Sequence, residues 1–177
     1  MQIFRLENID STNNYALKLI EKNHQPMPFI VIAKSQSAGR GQFDRQWYSS
    51  DDKNLYLSVA FHPRQTPMDF SNFSFKFAEL VAKELANTFS VNFTLKHPND
   101  IYFDGKKLAG ILTETKILRN EIWAAVSGIG INVNGDITNY PMDIRKTATS
   151  LCTLLNHTVD LAMIEKLIID IAVKLVL

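Results

Sequence analysis

A β-hairpin is predicted for residues 101–115, Ile101-Tyr102-Phe103-Asp104-Gly105-Lys106-Lys107-Leu108-Ala109-Gly110-Ile111-Leu112-Thr113-Glu114-Thr115. Asp104-Gly105 is typical of a two-residue hairpin turn, and apolar residues lie on both sides of it. In residues 121–134, side chains that suit a hydrophobic core alternate with side chains that are mostly small or polar, and this alternation predicts a further strand. Short turns between successive strands give antiparallel pairing, so this part of the chain predicts a largely antiparallel sheet.

The rest of the sequence predicts more strands and three helices around this sheet. Short apolar runs predict strands at residues 29–33, 55–61 and 93–96. Apolar residues at helical spacing predict helices at residues 11–23, 69–89 and 161–177. In the second helix, the inward-facing residues are expected to be Phe73, Phe77, Leu80, Val81 and Leu85. We therefore expect an α+β fold with a mixed, largely antiparallel sheet flanked by helices.

The composition fits one domain and excludes several protein classes. The 177 residues are 46% hydrophobic, so residues 1–177 are expected to form a single domain with its own core. The net charge of +1 offers no broad attraction to DNA or to a membrane surface. The single cysteine, Cys152, cannot form an internal disulfide, and no Cys/His cluster has metal-ligand spacing. Because the N-terminus also lacks a signal-peptide pattern, we expect a cytoplasmic protein.

The polar stretch 35–54 predicts a long loop, and its first part is Gln36-Ser37-Ala38-Gly39-Arg40-Gly41-Gln42-Phe43-Asp44-Arg45-Gln46-Trp47. Gly39 and Gly41 let the backbone approach a ligand closely. Arg40 between them suits a carboxylate or a phosphate, and Arg45 and Trp47 add a cation and a stacking surface. The alternative is a solvated basic loop without function, but the combination favours a ligand site.

The returning strand of the hairpin carries a lysine in a position of interest. A period of two places Lys107, Ala109, Ile111 and Thr113 on one face. Gly110 lies in the middle of the strand, where glycine often marks the close approach of a ligand or a backbone. Lys107 is thus either a cation of a site or a solvated lysine on an edge strand.

The strand at residues 121–134 has two different faces. Trp123, Ala125, Ser127, Ile129, Ile131 and Val133 form a face that suits a core. The opposite face ends in Gly128, Gly130 and Asn132, which leave space and then offer hydrogen bonds. This face is either the floor of a ligand site or the packing surface of a neighbouring backbone.

Five segments, in this order, resemble the biotin protein ligase family. They are Asp10-Ser11-Thr12-Asn13, residues 35–47, Lys96-His97-Pro98-Asn99-Asp100, Lys106-Lys107-Leu108-Ala109-Gly110-Ile111-Leu112 and Gly128-Ile129-Gly130-Ile131-Asn132-Val133. Ala148-Thr149-Ser150-Leu151 resembles a further segment of the family. Each motif alone is weak evidence for the family, but five motifs in the family's order resemble it specifically. The resemblance implies a core related to class II aminoacyl-tRNA synthetases.

The resemblance also implies a reaction in two steps. The carboxylate of biotin attacks the α-phosphate of ATP and gives biotinyl-AMP and pyrophosphate. A lysine of a biotin carboxyl carrier protein, such as that of acetyl-CoA carboxylase, then attacks the adenylate. Two anions meet in the first step, so the site must supply oriented positive charge. Arg40 and Lys107 are the cations that the sequence offers, with Mg²⁺ arriving on the phosphates of ATP.

Individual roles follow from the same resemblance. The residues implied in catalysis are Lys107, Arg40 and Asp100. Those implied in biotin binding are Ser11, Thr12, Asn13, Gln36, Gly39, Arg40, Gly41, Gln42 and Lys107. Those implied in ATP binding are Arg40, Arg45, Trp47, Asn99, Asp100, Lys107 and Asn132. From the residues alone, Ser11 and Thr12 serve equally as helix caps, and Asp100 as a cap of the turn at Ile101.

Two residues depart from the family pattern. His97 stands where the family usually has tryptophan, and we expect it to pack rather than to act as a base. Gln42 replaces a basic residue that helps the family to retain the adenylate, which favours leakage of activated biotin. The loop at residues 36–47 is expected to be mobile without ligand and to fold over biotin.

We also draw expectations from the two ends of the sequence. Too few residues precede the first motif for a winged-helix DNA-binding domain, so no DNA partner is expected. The sequence ends at Leu177, where many relatives continue into a small β-barrel domain. The apolar stripe that ends at Val176-Leu177 either packs on the core or joins a homodimer interface.

Three other functions compete with this interpretation. A lipoate ligase or octanoyltransferase on the same fold would carry a more glycine-rich loop in place of Gly39-Arg40-Gly41. A non-catalytic module would bind biotin without releasing pyrophosphate. A nucleic-acid binder would require a basic stripe, which the sequence lacks.

Overall fold

The protein forms a mixed sheet with helices on both faces, as seen in a computed structural model that describes residues 1–22, 25–43, 45–49, 52–63 and 70–177. The strands are β1 (Gln2–Ile9), β2 (Phe29–Gln36), β3 (Leu55–Phe61), β4 (Thr94–Lys96), β5 (Asp100–Phe103), β6 (Lys106–Leu118) and β7 (Glu121–Ile131). The helices are α1 (Thr12–Glu21), α2 (Phe73–Phe89), α3 (Met142–Arg145), α4 (Leu151–Leu155) and α5 (Leu161–Val176), with a 3-10 turn at Ile137–Asn139.

The strands lie in the order β1-β2-β3-β7-β6-β5-β4. β1 pairs with β2 in parallel, and every other pair is antiparallel. Asp104 and Gly105 both have positive φ at the turn between β5 and β6, as a two-residue hairpin turn requires. The expected α+β class and the largely antiparallel sheet are therefore confirmed.

The sheet separates two hydrophobic clusters of unequal size. The larger cluster lies between the sheet and helices α2 and α5, and includes Phe77, Leu85, Ile129 and Ile168. The smaller one lies beneath α1 on the other face. On that face of β7, Ala124 and Val126 belong to the smaller cluster, while Gly128 and Gly130 lie beyond it and line a cavity.

Most predicted helix faces agree with the structure. Phe73, Phe77, Val81 and Leu85 of α2 are buried, but Leu80 is 37% exposed, so its predicted inward position is wrong. The stripe of α5 packs on the core, although Leu177 at its end is exposed.

The predicted homodimer stays a prediction. Predicted positions 23 and 69 at helix ends lie outside the described residues. No helix in the described part of the chain has the length and apolar character of a membrane span.

Two irregularities in the sheet change which side chains share a face. Ile101 pairs with Ala109 but Tyr102 pairs with Lys107, so Leu108 is an extra residue in β6. Leu108, Ala109 and Ile111 all belong to the larger core, while Lys107 lies on the opposite face. The prediction that Lys107 shares a face with Ala109 and Ile111 is wrong, because the bulge shifts the alternation by one residue.

A second shift lies between Lys116 and Ile117, where Trp123 of β7 has no direct partner in β6. Trp123 packs against the smaller cluster under α1. It was predicted on the other face, with Ala125 and Ile129, which do belong to the larger core. The alternation holds from Ala124 onward and fails at the bulge.

Two leucines of α2 offer a matched test of the packing. Leu85 is fully buried, whereas Leu80 in the same helix is 37% exposed. Leu85→Ala should lower the free energy of unfolding by about 2–5 kcal/mol, because it leaves a cavity in the core. Leu80→Ala should cost about 1 kcal/mol or less. Urea unfolding measures both, and equal losses would contradict the assigned helix face.

Candidate functional site

A cavity of about 140 Å³ opens on the α1 side of the sheet, beyond the N-terminus of that helix. Its floor is β6 and β7, and its walls are the start of α1, the end of β2 and the loop that follows β2. We name it the main cavity. Its lining residues are Ser11, Thr12, Asn13, Gln36, Arg40, Gly41, Gln42, Arg45, Gln46, Trp47, Asn99, Asp100, Lys107, Gly110, Ile111, Leu112, Gly128, Ile129 and Gly130.

The structure brings twelve of the fourteen predicted site residues to this cavity, and Gly39 and Asn132 are the two that it does not. Gly39 lies behind the loop, where an added Cβ would be 2.4 Å from the backbone oxygen of Trp47. Asn132 is buried and lines an adjacent cavity. Gly39 thus allows the loop to pack on itself and does not line the main cavity.

One end of the main cavity is a network of neutral polar groups. The backbone N–H of Thr12 donates to Gln36 Oε1 at 2.8 Å, and Gln36 Nε2 donates to Ser49 Oγ at 2.9 Å. Ser58 Oγ lies 2.7 Å from both Thr12 Oγ1 and Asn13 Oδ1. The side chain of Ser11 makes no capping hydrogen bond to α1. Ser11 occupies the N-cap position that the residues alone allowed, but its side chain makes no capping bond, and Gln36 accepts the hydrogen bond from the first turn.

An ion pair holds Arg40 at the side of the cavity. Arg40 Nη2 lies 3.0 Å from Glu114 Oε1, and Arg40 Nη1 donates to Asn14 Oδ1 at 2.8 Å. Asn14 in turn donates to Asp10. Burial opposes ionisation of Asp10, but hydrogen bonds from the Ser11 backbone and from Lys18 and Asn14 outweigh it and lower the pKa of this carboxyl. A negative Asp10 therefore helps to fix the start of α1, where Arg40 is bound.

Lys107 stands at the other side, above the glycine of its own strand. Its Nζ lies 2.8 Å from Asp100 Oδ2 and 5.3 Å from the centre of the Trp47 ring. An added Cβ at Gly110 would be 3.2 Å from atoms of Asp100, Lys107 and Trp47 alike. Asp100 opens β5 and pairs with Lys107, and it does not cap the turn at Ile101.

Two buried polar atoms at this place have no hydrogen-bond partner in the described part of the chain. They are Trp47 Nε1 and Asp100 Oδ1. An unsatisfied buried polar group costs about 1–3 kcal/mol, and such groups are rare in folded proteins. Both atoms belong to residues that line the main cavity, so the site holds hydrogen-bonding capacity that the protein does not use itself.

The ring of Trp47 forms a wall between the main cavity and a second one. This adjacent cavity, of about 150 Å³, is lined by Gln46, Trp47, Tyr48, Lys107, Asn132, Tyr140, Ile144, Thr147 and Ala148. Trp47 and Lys107 face both cavities. An added Cβ at Gly130 would be 2.4 Å from Trp47 Nε1, so this glycine makes room for the ring. The neighbours of the glycines are thus side chains, Asn13 at Gly128 and Trp47 at Gly130.

The side chain of Asn132 is held by two contacts in the adjacent cavity. Its Nδ2 donates to the backbone oxygen of Thr149 at 3.0 Å, and its Oδ1 lies 3.5 Å from the hydroxyl of Tyr140. Tyr140 also accepts a hydrogen bond from Asn54 at 2.7 Å and packs against Tyr48. The sequence did not point to Glu114, Ser58 or Tyr140, because no motif contains them and only the folded sheet brings them to the site.

The charges that the described residues place around the main cavity suit an anionic ligand. Of these residues, Arg40, Arg45 and Lys107 line it against one carboxylate, Asp100. Arg40 and Lys107 each have a carboxylate partner, so an incoming anion competes with Glu114 or Asp100 for their charge. No group of His, Cys, Asp and Glu among the described residues could hold a metal ion.

The two residues that depart from the family pattern lie in different surroundings. Gln42 lines the main cavity with its neighbour Gly41. His97 is exposed, and its ring centre lies 5.3 Å from that of Phe75. Asn99, which also lines the cavity, donates its side-chain amide to the backbone oxygen of Ile111 and so fastens β5 to β6.

Comparisons with known proteins agree on one family. Residues 6–132 match the biotin/lipoate A/B protein ligase family. The bifunctional ligase/repressor BirA of Bacillus spizizenii is 31% identical over 87% of this chain and 47% of its own length. The biotin--[acetyl-CoA-carboxylase] ligase of Paracoccus denitrificans is 33% identical over 73% of this chain and 54% of its own. The chain thus spans about half the length of these relatives.

A solved structure extends the likeness to three dimensions. The biotin protein ligase of Aquifex aeolicus, in complex with biotin and ATP, superposes with a TM-score of 0.81. It is 26% identical, and the superposition covers 99% of this chain and 70% of that one.

The packing of Trp47 on Gly130 gives a testable prediction. Gly130→Ala should force the ring off the floor of the cavity and lower the free energy of unfolding by about 1–3 kcal/mol. The chain has two tryptophans, so Trp123→Phe leaves Trp47 as the only indole. In that background the fluorescence of Trp47 should shift to longer wavelength. Gly41→Ala, whose Cβ would be 3.3 Å from its nearest neighbour, serves as the control. An unchanged spectrum for Gly130→Ala would contradict the assigned packing.

Proposed function

The chain belongs to the biotin/lipoate A/B protein ligase family, and we propose that it activates biotin with ATP and transfers it to a lysine of an acceptor protein. The observation that carries this proposal is the position of Lys107. This ammonium group faces two cavities at once and lies beside a wall made by one aromatic ring. Such a cation can neutralise two anions that approach it from different sides.

The neutral polar end of the main cavity supports biotin as the ligand there. Thr12 and Asn13 meet Gln36 and Ser58 in a network of hydroxyls and amides. These groups both donate and accept hydrogen bonds, which suits an uncharged ureido ring. Lipoate offers no such ring, so a site for it has less use for this network. The relatives over 30% identical are named as biotin ligases or as BirA.

In the first step, an oxygen of the biotin carboxylate forms a bond to the α-phosphorus of ATP. The bond from that phosphorus to the bridging oxygen breaks, and pyrophosphate leaves with its electron pair. Negative charge builds up on the phosphoryl oxygens in between. We propose that Lys107 stabilises this charge, with Arg40 at the opposite wall of the cavity. The ammonium must then exchange part of its contact with Asp100 for the ligand, while the guanidinium stays paired with Glu114 and binds through its remaining donors.

In the second step, the amine of the acceptor lysine attacks the carbonyl carbon of the adenylate. A bond from nitrogen to carbon forms, the bond from carbon to the phosphate oxygen breaks, and AMP leaves. The attacking amine loses one proton, which is released to solvent water as AMP leaves. Asp100 is the carboxylate that lines the cavity, and its Oδ1 has no partner within the described residues. We assign to it the orientation of the incoming amine.

The adjacent cavity is the proposed place of the nucleotide. Trp47 offers a ring for stacking, and Asn132 offers an amide that Thr149 and Tyr140 hold in place. Each cavity is smaller than the roughly 300–1,000 Å³ of typical ligand pockets. We propose that the Trp47 ring shifts when both substrates bind. Mg²⁺ is proposed to come with the phosphates of ATP, and Arg45 at the rim adds charge for them.

The proposed acceptor is the biotin carboxyl carrier protein of acetyl-CoA carboxylase, in the cytoplasm. The name of the Paracoccus relative supports this choice. Phe43 at the tip of the loop is 84% exposed beside the cavity-lining Gln42. An apolar side chain in this place fits contact with a folded carrier domain during transfer.

Lys107→Ala should lower the rate of pyrophosphate release with biotin and MgATP by about 100-fold or more, because one oriented cation is lost from the transition state. Pyrophosphate release in a coupled assay gives the rate, and urea unfolding shows whether the variant is folded. Lys106→Ala is the matched control, since Lys106 is exposed and next in the chain but does not line the cavity. Equal rates for both variants would reject the role of Lys107.

The substrate is tested by direct competition between biotin and lipoate. The protein is incubated with MgATP, a biotin carboxyl carrier domain and either acid, and the mass of the acceptor is recorded. We expect the carrier domain to gain one biotinyl group and no lipoyl group. Pyrophosphate release with lipoate alone would identify a lipoate ligase instead. Binding of biotin without pyrophosphate release would identify a non-catalytic module.

A further inference from the structure

Glu114 of β6 is a carboxylate that none of the sequence motifs contains, yet it contacts the arginine of the loop. Its Oε1 lies 3.0 Å from Arg40 Nη2, and its Oε2 accepts a hydrogen bond from Arg40 Nη1 at 3.3 Å. The two oxygens thus face the two terminal nitrogens of the guanidinium. This side-by-side geometry fixes the plane of the guanidinium as well as its distance.

The same carboxylate also joins α1 to this contact. Glu114 Oε2 accepts a hydrogen bond from Asn13 Nδ2 at 2.9 Å, and Arg40 Nη1 donates to Asn14 Oδ1 at 2.8 Å. Strand β6, helix α1 and the loop therefore meet at one cluster of four side chains. The side chain of Glu114 is 22% exposed and that of Arg40 is 42% exposed. The contact is partly shielded from water and stronger than a fully exposed pair.

Before Arg40, the backbone of the loop is tied to the segment that precedes α1. Ser37 N–H donates to the backbone oxygen of Ile9 at 2.8 Å, and Ala38 N–H donates to that of Asp10 at 2.9 Å.

After Arg40, the backbone hydrogen bonds of the described residues up to Trp47 join residues of the loop itself. Gly41 N–H donates to the backbone oxygen of Arg45 at 2.7 Å, and Trp47 N–H donates to that of Gly39 at 2.9 Å. Both bonds lie within the loop and do not tie it to the sheet. The Glu114–Arg40 pair fastens the middle of the loop to β6, and the ring of Trp47 packs on the sheet at the end of the loop.

The guanidinium keeps donors for a ligand while it is held. Its hydrogen bonds to Asn14 and Glu114 both start from Nη1. Nε has no hydrogen-bond partner in the described part of the chain, and Arg40 lines the main cavity. A guanidinium has five N–H donors in a rigid plane. Once one edge is fixed by Glu114, the remaining donors point in a fixed direction.

We propose that Glu114 is a positioning residue, which holds Arg40 against the wall of the main cavity and so orders the loop for substrate binding. This assignment rests on the proposed ligase function. Without the carboxylate, Arg40 keeps its charge but loses its orientation. We therefore expect weaker substrate binding, seen as a higher KM, and a smaller change in the rate of the chemical step.

The first test measures adenylate formation by pyrophosphate release. Glu114→Ala should raise the KM for biotin about tenfold, while kcat changes by less than about threefold. In an Arg40→Ala background the same substitution should have no further effect on KM, because the two residues act as one unit. An unchanged KM for Glu114→Ala, or an equal rise in both backgrounds, would overturn the proposal. Glu114→Gln, which keeps the shape of the side chain, replaces Glu114→Ala if that variant unfolds.

Glu21→Ala is the matched control. Glu21 pairs with Lys116, so this ion pair also joins α1 to β6, but it lies away from the loop. Its loss should leave KM and kcat as in the unmodified protein. A rise in KM equal to that of Glu114→Ala would mean that any ion pair between α1 and β6 has this effect, and it would also overturn the proposal.

A second test does not depend on activity. Trypsin cleaves after Arg40 and Arg45 in the loop, and the rate at Arg45, followed by the masses of the fragments, reports how firmly the loop is held. Glu114→Ala should be cut several-fold faster than the unmodified protein, and Glu21→Ala at the unmodified rate. Equal rates for all three would reject the anchoring by Glu114. If the unmodified protein releases no pyrophosphate, the proposed ligase function fails, while the cleavage rates still decide the role of Glu114.

Discussion

The extra residue Leu108 in β6 is the constraint on which the site depends. It places Leu108 and Ala109 in one core and turns Lys107 to the opposite face of the sheet. A regular strand would direct the lysine toward the core of α2 and α5, where an unpaired charge is costly. The backbone of Lys107 is also fixed by the segment before α4, because its N–H donates to the backbone oxygen of Thr147 and its carbonyl oxygen accepts from the N–H of Thr149. The position of this cation is therefore built into the backbone and does not rely on a flexible loop.

A second constraint is the lack of side chains on the floor of the cavity. Gly128 and Gly130 allow Asn13 and Trp47 to lie directly on the sheet. The ring of Trp47 then separates two small cavities, and its Nε1 lies buried without a partner among the described residues. The buried N–H without a partner costs free energy, and a ligand that accepts a hydrogen bond from it removes this cost. Relief of an unsatisfied donor is one way to couple the movement of Trp47 to substrate binding.

The sequence predicted the parts of the fold that local rules control. The Asp104-Gly105 turn, the strands beside it and the stripes of α1 and α5 follow from turn chemistry and periodicity. The bulges at Leu108 and Trp123 were missed, because alternation assumes a regular register. Strand β1 was missed since it is a half-exposed edge strand without a clear apolar pattern. Glu114 and Tyr140 reach the site only through long-range pairing of the sheet, which no single motif reveals.

The pairing of both cations with carboxylates changes how the site must work. The sequence identified two cations without indicating partners for them, and the structure pairs Lys107 with Asp100 and Arg40 with Glu114. Much of the long-range attraction for an anion is thereby cancelled, so steering of substrate by the field is weak. In the proposed reaction the cations therefore act at close range, once the ligand has displaced water. The same proposal assigns selectivity to the neutral network around Thr12 and Gln36.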